Sequence, residues 1–386
     1  MSQLREFRVT PNIYFGSRAS LRAGQEARAL GGSRALLVTD SFMEKSGACG
    51  PVLDSLKEAG IACHIYSGVN SEPDLRHVAE GCELLKTHQC DVVLALGGGS
   101  PLDAAKAICV MATNPGKIED YMGAGKVKNP GLPLIAIPTT AGTGSEATQF
   151  TIITDTSRDV KMLIGSKYIL PTSALLDPDL TMAMPKGLTA ATGLDALTHG
   201  IEAYVSRKAQ PLSDVMALSS IRLLGQHLLK AWQHPDDKEA RANTMLGALQ
   251  AGIAFSNASV ALVHGMSRPI GALFHVAHGV SNATLLGIVM DFSLSGNYQR
   301  YADIALALGV TARAGVEATA RAGVERVKEL IATMQVLSCT QLGVSREALD
   351  KWAAKMADDA MASGSPANNP RLASKEEIME LYYQAL

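Results

Sequence analysis

Residues 91–106 read DVVLALGGGSPLDAAK, and this stretch decides the fold. Asp91–Leu96 is a run whose side chains after Asp91 are all aliphatic, the pattern of a strand buried on both faces. The triplet Gly97-Gly98-Gly99 and Ser100-Pro101 follow, and Asp103–Ala112 then carries a helical pattern. Consecutive glycines at a strand end let a ligand approach the backbone without Cβ clashes. The next helix adds free N–H groups and a partial positive charge, a combination that suits a pyrophosphate. The spacing is not G-x-G-x-x-G, and an ordinary tight turn between strand and helix remains the alternative reading.

Working outward, Arg34–Asp40 (RALLVTD) and Ile61–Tyr66 read as strands, and Pro51–Ala59 and Pro73–His88 as helices. Leu132–Ile137 (LPLIAI) is another strand, followed by a second loop, PTTAGTGSE, at 138–146. Strand–helix alternation predicts a mainly parallel sheet covered on both faces, with ligands at the carboxyl ends of its strands. Both glycine loops sit at such ends. Beyond Pro171, Pro178 and Pro185 the pattern turns helical: 188–205, 212–229, 239–256, 298–308 and 317–337, then 375–386 with Ser374 and Glu377 at capping-box spacing. Residues 361–370 read as a loop. The expectation is therefore an α/β dinucleotide-binding domain over residues 1–184 and an all-helical domain over 185–386.

Composition limits the function. The 386 residues are 47% hydrophobic and 19% charged, which excludes a disordered chain. Lys and Arg number 35 against 37 Asp and Glu, so no basic surface for nucleic acid is expected. No apolar run approaches the ~20 residues of a membrane span. The polar N-terminus does not read as a signal peptide. Six cysteines without a C-x-x-C pair suggest reduced thiols and a cytoplasmic protein.

Several polar residues stand out. The hydroxyls and N–H groups of the 138–146 loop can serve phosphate and ribose, or make a solvated turn. Asp40, ending a strand, can accept both hydroxyls of an adenosine ribose and repel a 2′-phosphate; a helix N-cap is the alternative. Of nine histidines, His64, His77, His88, His227 and His234 lie in helical or polar contexts without partners and read as structural or surface residues. Asp195 and His199 are spaced i,i+4 and share one helix face. With His264 and His278 they would make a nitrogen and oxygen donor set for Fe²⁺, Zn²⁺, Mn²⁺ or Co²⁺. Spacing alone does not bring the four together. Phe255 is a candidate apolar wall, or simply helix core.

GGGSPLDAAKA (97–107), PTTAGTGSE (138–146), DPDLT (177–181), GLDALTHGIEAY (193–204), AGIAFSNASVALVHGM (251–266) and HVAHGVSNA (275–283) together resemble the iron-containing (group III) alcohol dehydrogenase family, over essentially the whole chain. The resemblance implies that family's architecture, which is also dehydroquinate synthase-like, with the site in a cleft between the domains. It implies a small alcohol/aldehyde pair exchanging hydride with NAD(H), and metal ligands at Asp195, His199, His264 and His278. It implies a nicotinamide dinucleotide on Gly97, Gly98, Gly99, Ser100, Asp103, Thr139, Thr140, Thr143 and Lys161, with Asp40 at the position associated with NAD preference. Iron is the expected metal, zinc the alternative, and a homo-oligomer is expected. Two positions depart from the family pattern: Arg268 stands where a histidine is usual, and Glu72 where asparagine is frequent. Arginine cannot shuttle protons near neutral pH. Arg268 either pairs with a carboxylate or favours an anionic substrate, a hydroxyacid or semialdehyde. An NAD-using lyase of the same superfamily is a further alternative.

Overall fold

The computed structural model describes residues 4–158 and 160–386. It divides into two compact units, Arg8–Ala183 and Met184–Leu386, the latter joined by the short stretch ending at Phe7. The Glu6 carbonyl accepts a hydrogen bond from Gln210 Nε2 at 2.9 Å within that second unit.

The strands are β1 (Asn12–Phe15), β2 (Arg34–Val38), β3 (Ala62–Tyr66), β4 (Val92–Gly97), β5 (Gly123–Ala124), β6 (Leu134–Pro138), β7 (Phe150–Asp155), β8 (Val160–Gly165) and β9 (Ser173–Leu176). The main sheet has the order β1-β9-β6-β4-β2-β3, and every pairing is parallel. Val92 to Leu96 of β4 are 0% exposed, as their uninterrupted apolar pattern requires. Alternate residues serve opposite faces. Val93 and Ala95 join one core cluster with Leu102, Ala105 and Ile108, whereas Val92, Leu94 and Leu96 join another with Val52 and Leu56. Each fully buried Val or Leu contributes about 1.5–3 kcal/mol.

Seven helices carry or adjoin singled-out residues: α1 (Ser41–Lys45), α2 (Leu75–Thr87), α3 (Gly99–Met111), α4 (Lys186–Val205), α5 (Lys238–Ala258), α6 (Leu262–Phe274) and α7 (His278–Ser293). Helix α3 starts at Gly99 rather than near Asp103, because Pro101 is compatible with a first helical turn. The sequence reading passed over β1, β9 and the small sheet ordered β5-β8-β7. β1 and β9 have four residues each, too few for a period to show, and β7 hides Thr151, Ile153 and Asp155 while leaving Phe150 and Ile152 half-exposed, so no apolar alternation marks it. It also passed over α6 and α7, which carry two of the singled-out histidines. Among the described residues, no single helix is long and apolar enough to cross a membrane.

Candidate metal centre and nucleotide loops

In the helical unit, α4 presents Asp195, His199 and Glu202 on one face at i, i+4 and i+7, all three buried. Helix α7 packs closely against α4 because residue 279 is glycine: a Cβ there would lie 2.4 Å from the Ala191 carbonyl oxygen. That approach brings His278 Nε2 to 3.9 Å from Asp195 Oδ1. Helix α6 supplies His264, whose Nε2 lies 3.7 Å from the same oxygen. His199 Nδ1 is 4.0 Å from Asp195 Oδ2. The His199 ring stacks between Phe255 of α5, at 4.2 Å, and His264, at 4.5 Å. Asp195, His199 and His264 each offer a ligating atom, all within 4.8 Å of one another. His278 adjoins them, tilted 60° to His264, and is the accessible member with 40% of its side chain exposed.

Glu202 fixes the chemistry of this cluster. Its carboxylate accepts from Val263 N and from His264 Nδ1, each at 2.6 Å. The proton of His264 is thereby held on Nδ1, and the Nε2 lone pair faces Asp195. Although part of its side chain is exposed, the protein packed around the His278 ring drives it toward its neutral form: loss of hydration lowers its pKa, Asp195 opposes, and His264, His199 and Arg268 add to the lowering. A carboxylate beside neutral imidazoles fits a divalent transition cation. The sequence reading gave Glu202 no role, although its place one turn beyond His199 was visible. Asn282, one turn beyond His278 on α7, was missed too; its Nδ2 lies 2.6 Å from Asp195 Oδ1.

Arg268 sits one turn beyond His264 on α6, half-buried. Among the described residues its guanidinium has no hydrogen-bond or ion-pair partner, so it does not turn away to pair with a carboxylate. Burial lowers its pKa and the Glu202 charge opposes.

In the α/β unit, the two glycine loops abut. Gly97 has φ 154°, and a Cβ there would meet Pro101 Cγ at 2.7 Å. A Cβ on Gly99 would meet Thr143 Cγ2 at 2.9 Å, and Thr140 packs beside Gly98. Thr139 N donates to the Gly97 carbonyl at 2.9 Å. Ser100 lies in the first turn of α3. The Asp103 carboxylate is engaged by protein: Oδ1 accepts from Ser145 Oγ at 2.6 Å and Oδ2 from Ile152 N at 3.0 Å. Buried Lys106 Nζ donates to Ser145 Oγ, Thr148 Oγ1 and the Phe150 carbonyl, each at 2.8 Å. Burial pushes this ammonium down to about 8, with Asp103 and Glu146 opposing. Asp103 and Lys106 thus fasten the second loop to α3. Asp40 Oδ1 caps α1 by accepting from Met43 N at 2.8 Å. Lys161 Nζ and Glu72 Oε1 form a partly exposed ion pair at 2.7 Å.

The other histidines are not all without partners, as the sequence reading had them. His77 is fully buried and makes a capping box with Asp74 at the start of α2. His64, on β3, and His88, just beyond the end of α2, stack at 3.4 Å.

The profile of iron-containing alcohol dehydrogenases matches residues 10–178, and that of the C-terminal domain of the same family matches residues 189–386. The chain belongs to the iron-containing alcohol dehydrogenase family. This dehydrogenase is 38% identical to a 1,3-propanediol dehydrogenase of Klebsiella pneumoniae, covering 98% of both chains. It is 35% identical to the NAD-dependent methanol dehydrogenase of Bacillus methanolicus, covering 99% of this chain and all of that one. A crystal structure of a 1,3-propanediol oxidoreductase superposes with TM-score 0.97 at 36% identity, and covers both chains fully. A sulfoacetaldehyde reductase of Bifidobacterium kashiwanohense in complex with NAD⁺ has TM-score 0.90 at 26% identity, with coverage of 100% and 99%. The chain is thus an oxidoreductase of this family.

Proposed function

We propose that the enzyme interconverts a small alcohol and its aldehyde with NAD(H), using a divalent metal, Fe²⁺ or Zn²⁺, held by Asp195, His199, His264 and His278. The observation that carries this reading is the buried cluster in which Glu202 keeps His264 Nε2 free of its proton. A bound divalent cation would supply Lewis-acid polarisation of the alcohol or carbonyl oxygen. The chain's own residues do the rest. Glu202 holds the proton at His264 Nδ1. Phe255 covers one face of the His199 ring and keeps water from it. In the α/β unit, Gly97–Ser100 and the N-terminus of α3 offer N–H groups to a pyrophosphate, with Thr139, Thr140 and Thr143 beside them. The Asp40 carboxylate retains an oxygen for ribose hydroxyls and disfavours a 2′-phosphate. The names of two relatives, one NAD-dependent and one bound to NAD⁺, support NAD. Hydride chemistry belongs to that cofactor. The six free thiols support a reducing, cytoplasmic setting. The test is His264→Ala, expected to lose both metal retention and turnover; full turnover by the metal-free variant would refute the metal role.

A second reading concerns the substrate. The unpartnered Arg268 guanidinium favours an alcohol or aldehyde that also bears an anionic group, such as a hydroxyacid or semialdehyde. Turnover of 1-propanol, 1,2-propanediol and 4-hydroxybutyrate by the wild type and by Arg268→His tests it. A preference for the acid that survives Arg268→His would defeat this reading.

A further inference from the structure

The amide of Asn282 stands among the candidate ligands. Its side chain is completely buried, and Nδ2 lies 2.6 Å from Asp195 Oδ1, 3.1 Å from His264 Nε2 and 3.2 Å from His278 Nε2. An amide nitrogen carries two hydrogens. The short contact to the carboxylate takes one, and the two imidazole nitrogens share the other. Asn282 Oδ1, also buried, has no hydrogen-bond partner among the described residues. The side chain therefore tolerates an unsatisfied acceptor so that its donor end can face three acceptors.

These three contacts differ in how they respond to a cation. A carboxylate oxygen has two lone pairs, so Asp195 Oδ1 can ligate a metal and still accept from Asn282. An sp² imidazole nitrogen has one. With the His264 proton fixed on Nδ1 by Glu202, its Nε2 lone pair can go to the amide or to a cation, not to both; His278 Nε2, 3.2 Å from the same amide, stands in the same position in the tautomer that carries its proton on Nδ1.

We propose that Asn282 is a positioning residue that competes with the divalent cation: its amide occupies, in the metal-free protein, the imidazole lone pairs that the cation needs, and so weakens the affinity of the centre while keeping its ligands in place. The proposal rests on the metal reading above. The bond to Asp195 survives metal binding and cancels between the two forms, whereas the bond to the imidazoles is forfeited. Removing the amide tightens metal binding by the worth of one buried hydrogen bond, roughly three- to tenfold.

The experiment titrates Zn²⁺ into metal-stripped full-length protein against a chromophoric chelator, for the wild type and for Asn282→Leu, which is of similar size and has no polar atom. The wild type takes up one Zn²⁺ per chain. Asn282→Leu binds it three- to tenfold more tightly, and Zn²⁺ raises its melting temperature by more than it raises that of the wild type. A merely structural asparagine would lower the melting temperature of both forms equally. Equal or weaker Zn²⁺ binding by Asn282→Leu overturns the proposal. If that variant does not fold, Asn282→Ala carries the same expectation and the same refutation. A wild type that takes up no Zn²⁺, Fe²⁺ or Co²⁺ overturns the metal reading itself, a result distinct from a wild type that binds and a variant that binds no better.

Discussion

Glu202→Gln preserves shape and removes one charge, and its consequence follows from the two donors that the carboxylate serves. Val263 N–H and His264 Nδ1–H both point at Glu202, each at 2.6 Å, in a place where the side chain is 3% exposed. Glutamine has one acceptor oxygen and one amino group, so it cannot accept from both. If its oxygen stays on His264, the Val263 N–H faces an N–H₂ and is left unsatisfied, at a cost of about 1–3 kcal/mol. If its oxygen serves Val263, the amino group faces His264 Nδ1. The imidazole then carries its proton on Nε2, the atom 3.7 Å from Asp195 Oδ1, and no longer offers a lone pair there. The second arrangement abolishes the ligand-ready tautomer and the first keeps it only with a buried N–H unsatisfied, and loss of such a supporting partner costs about 10- to 100-fold in metal affinity. The assay is chelator competition for Zn²⁺ with metal-stripped protein, beside alcohol-dependent reduction of NAD. The variant should bind the metal at least tenfold more weakly, with turnover recovered in part by excess metal. Affinity within twofold of the wild type would refute the reasoning that the Glu202 carboxylate prepares His264 for the metal.

Three further outcomes are expected. Gly99→Ala places a methyl group 2.9 Å from Thr143 Cγ2, and crowding of this kind costs about 1–3 kcal/mol; KM for NAD should rise roughly tenfold with a smaller change in kcat, and an unchanged KM would remove the two loops from the cofactor site. Glu146 is buried, which pushes its pKa up to about 7 against the opposing Lys106 charge. The folded form thus holds its proton more tightly than the unfolded chain, and the wild type loses stability as pH rises from the ordinary carboxyl value through 7. Urea unfolding should accordingly show Glu146→Gln gaining on the wild type between pH 5 and pH 8; a difference independent of pH would contradict this. His77→Ala removes the half of the capping box that accepts from Asp74 N and empties a fully buried site, and should cost at least about 1–3 kcal/mol in unfolding experiments while leaving Zn²⁺ affinity unchanged. Equal stability of variant and wild type would show that the cap is idle.

The apolar run 92–96, the glycine loops after two strands and the pairing of Asp195 with His199 were legible in the sequence, because each is a local pattern: a strand buried on both faces, a close-packed turn with no room for a Cβ, a helix with its period. The strands at 12–15 and 173–176 were not, since four residues carry no period, nor were the helices that hold His264 and His278. Tertiary structure alone decided that those two histidines meet Asp195, for their convergence depends on helices separated along the chain, and on a glycine at 279 that lets one of them approach α4. It also decided the parts of Glu202 and Asn282. Which proton sits on which imidazole nitrogen depends on the partner opposite each ring atom, and that partner comes from a different helix.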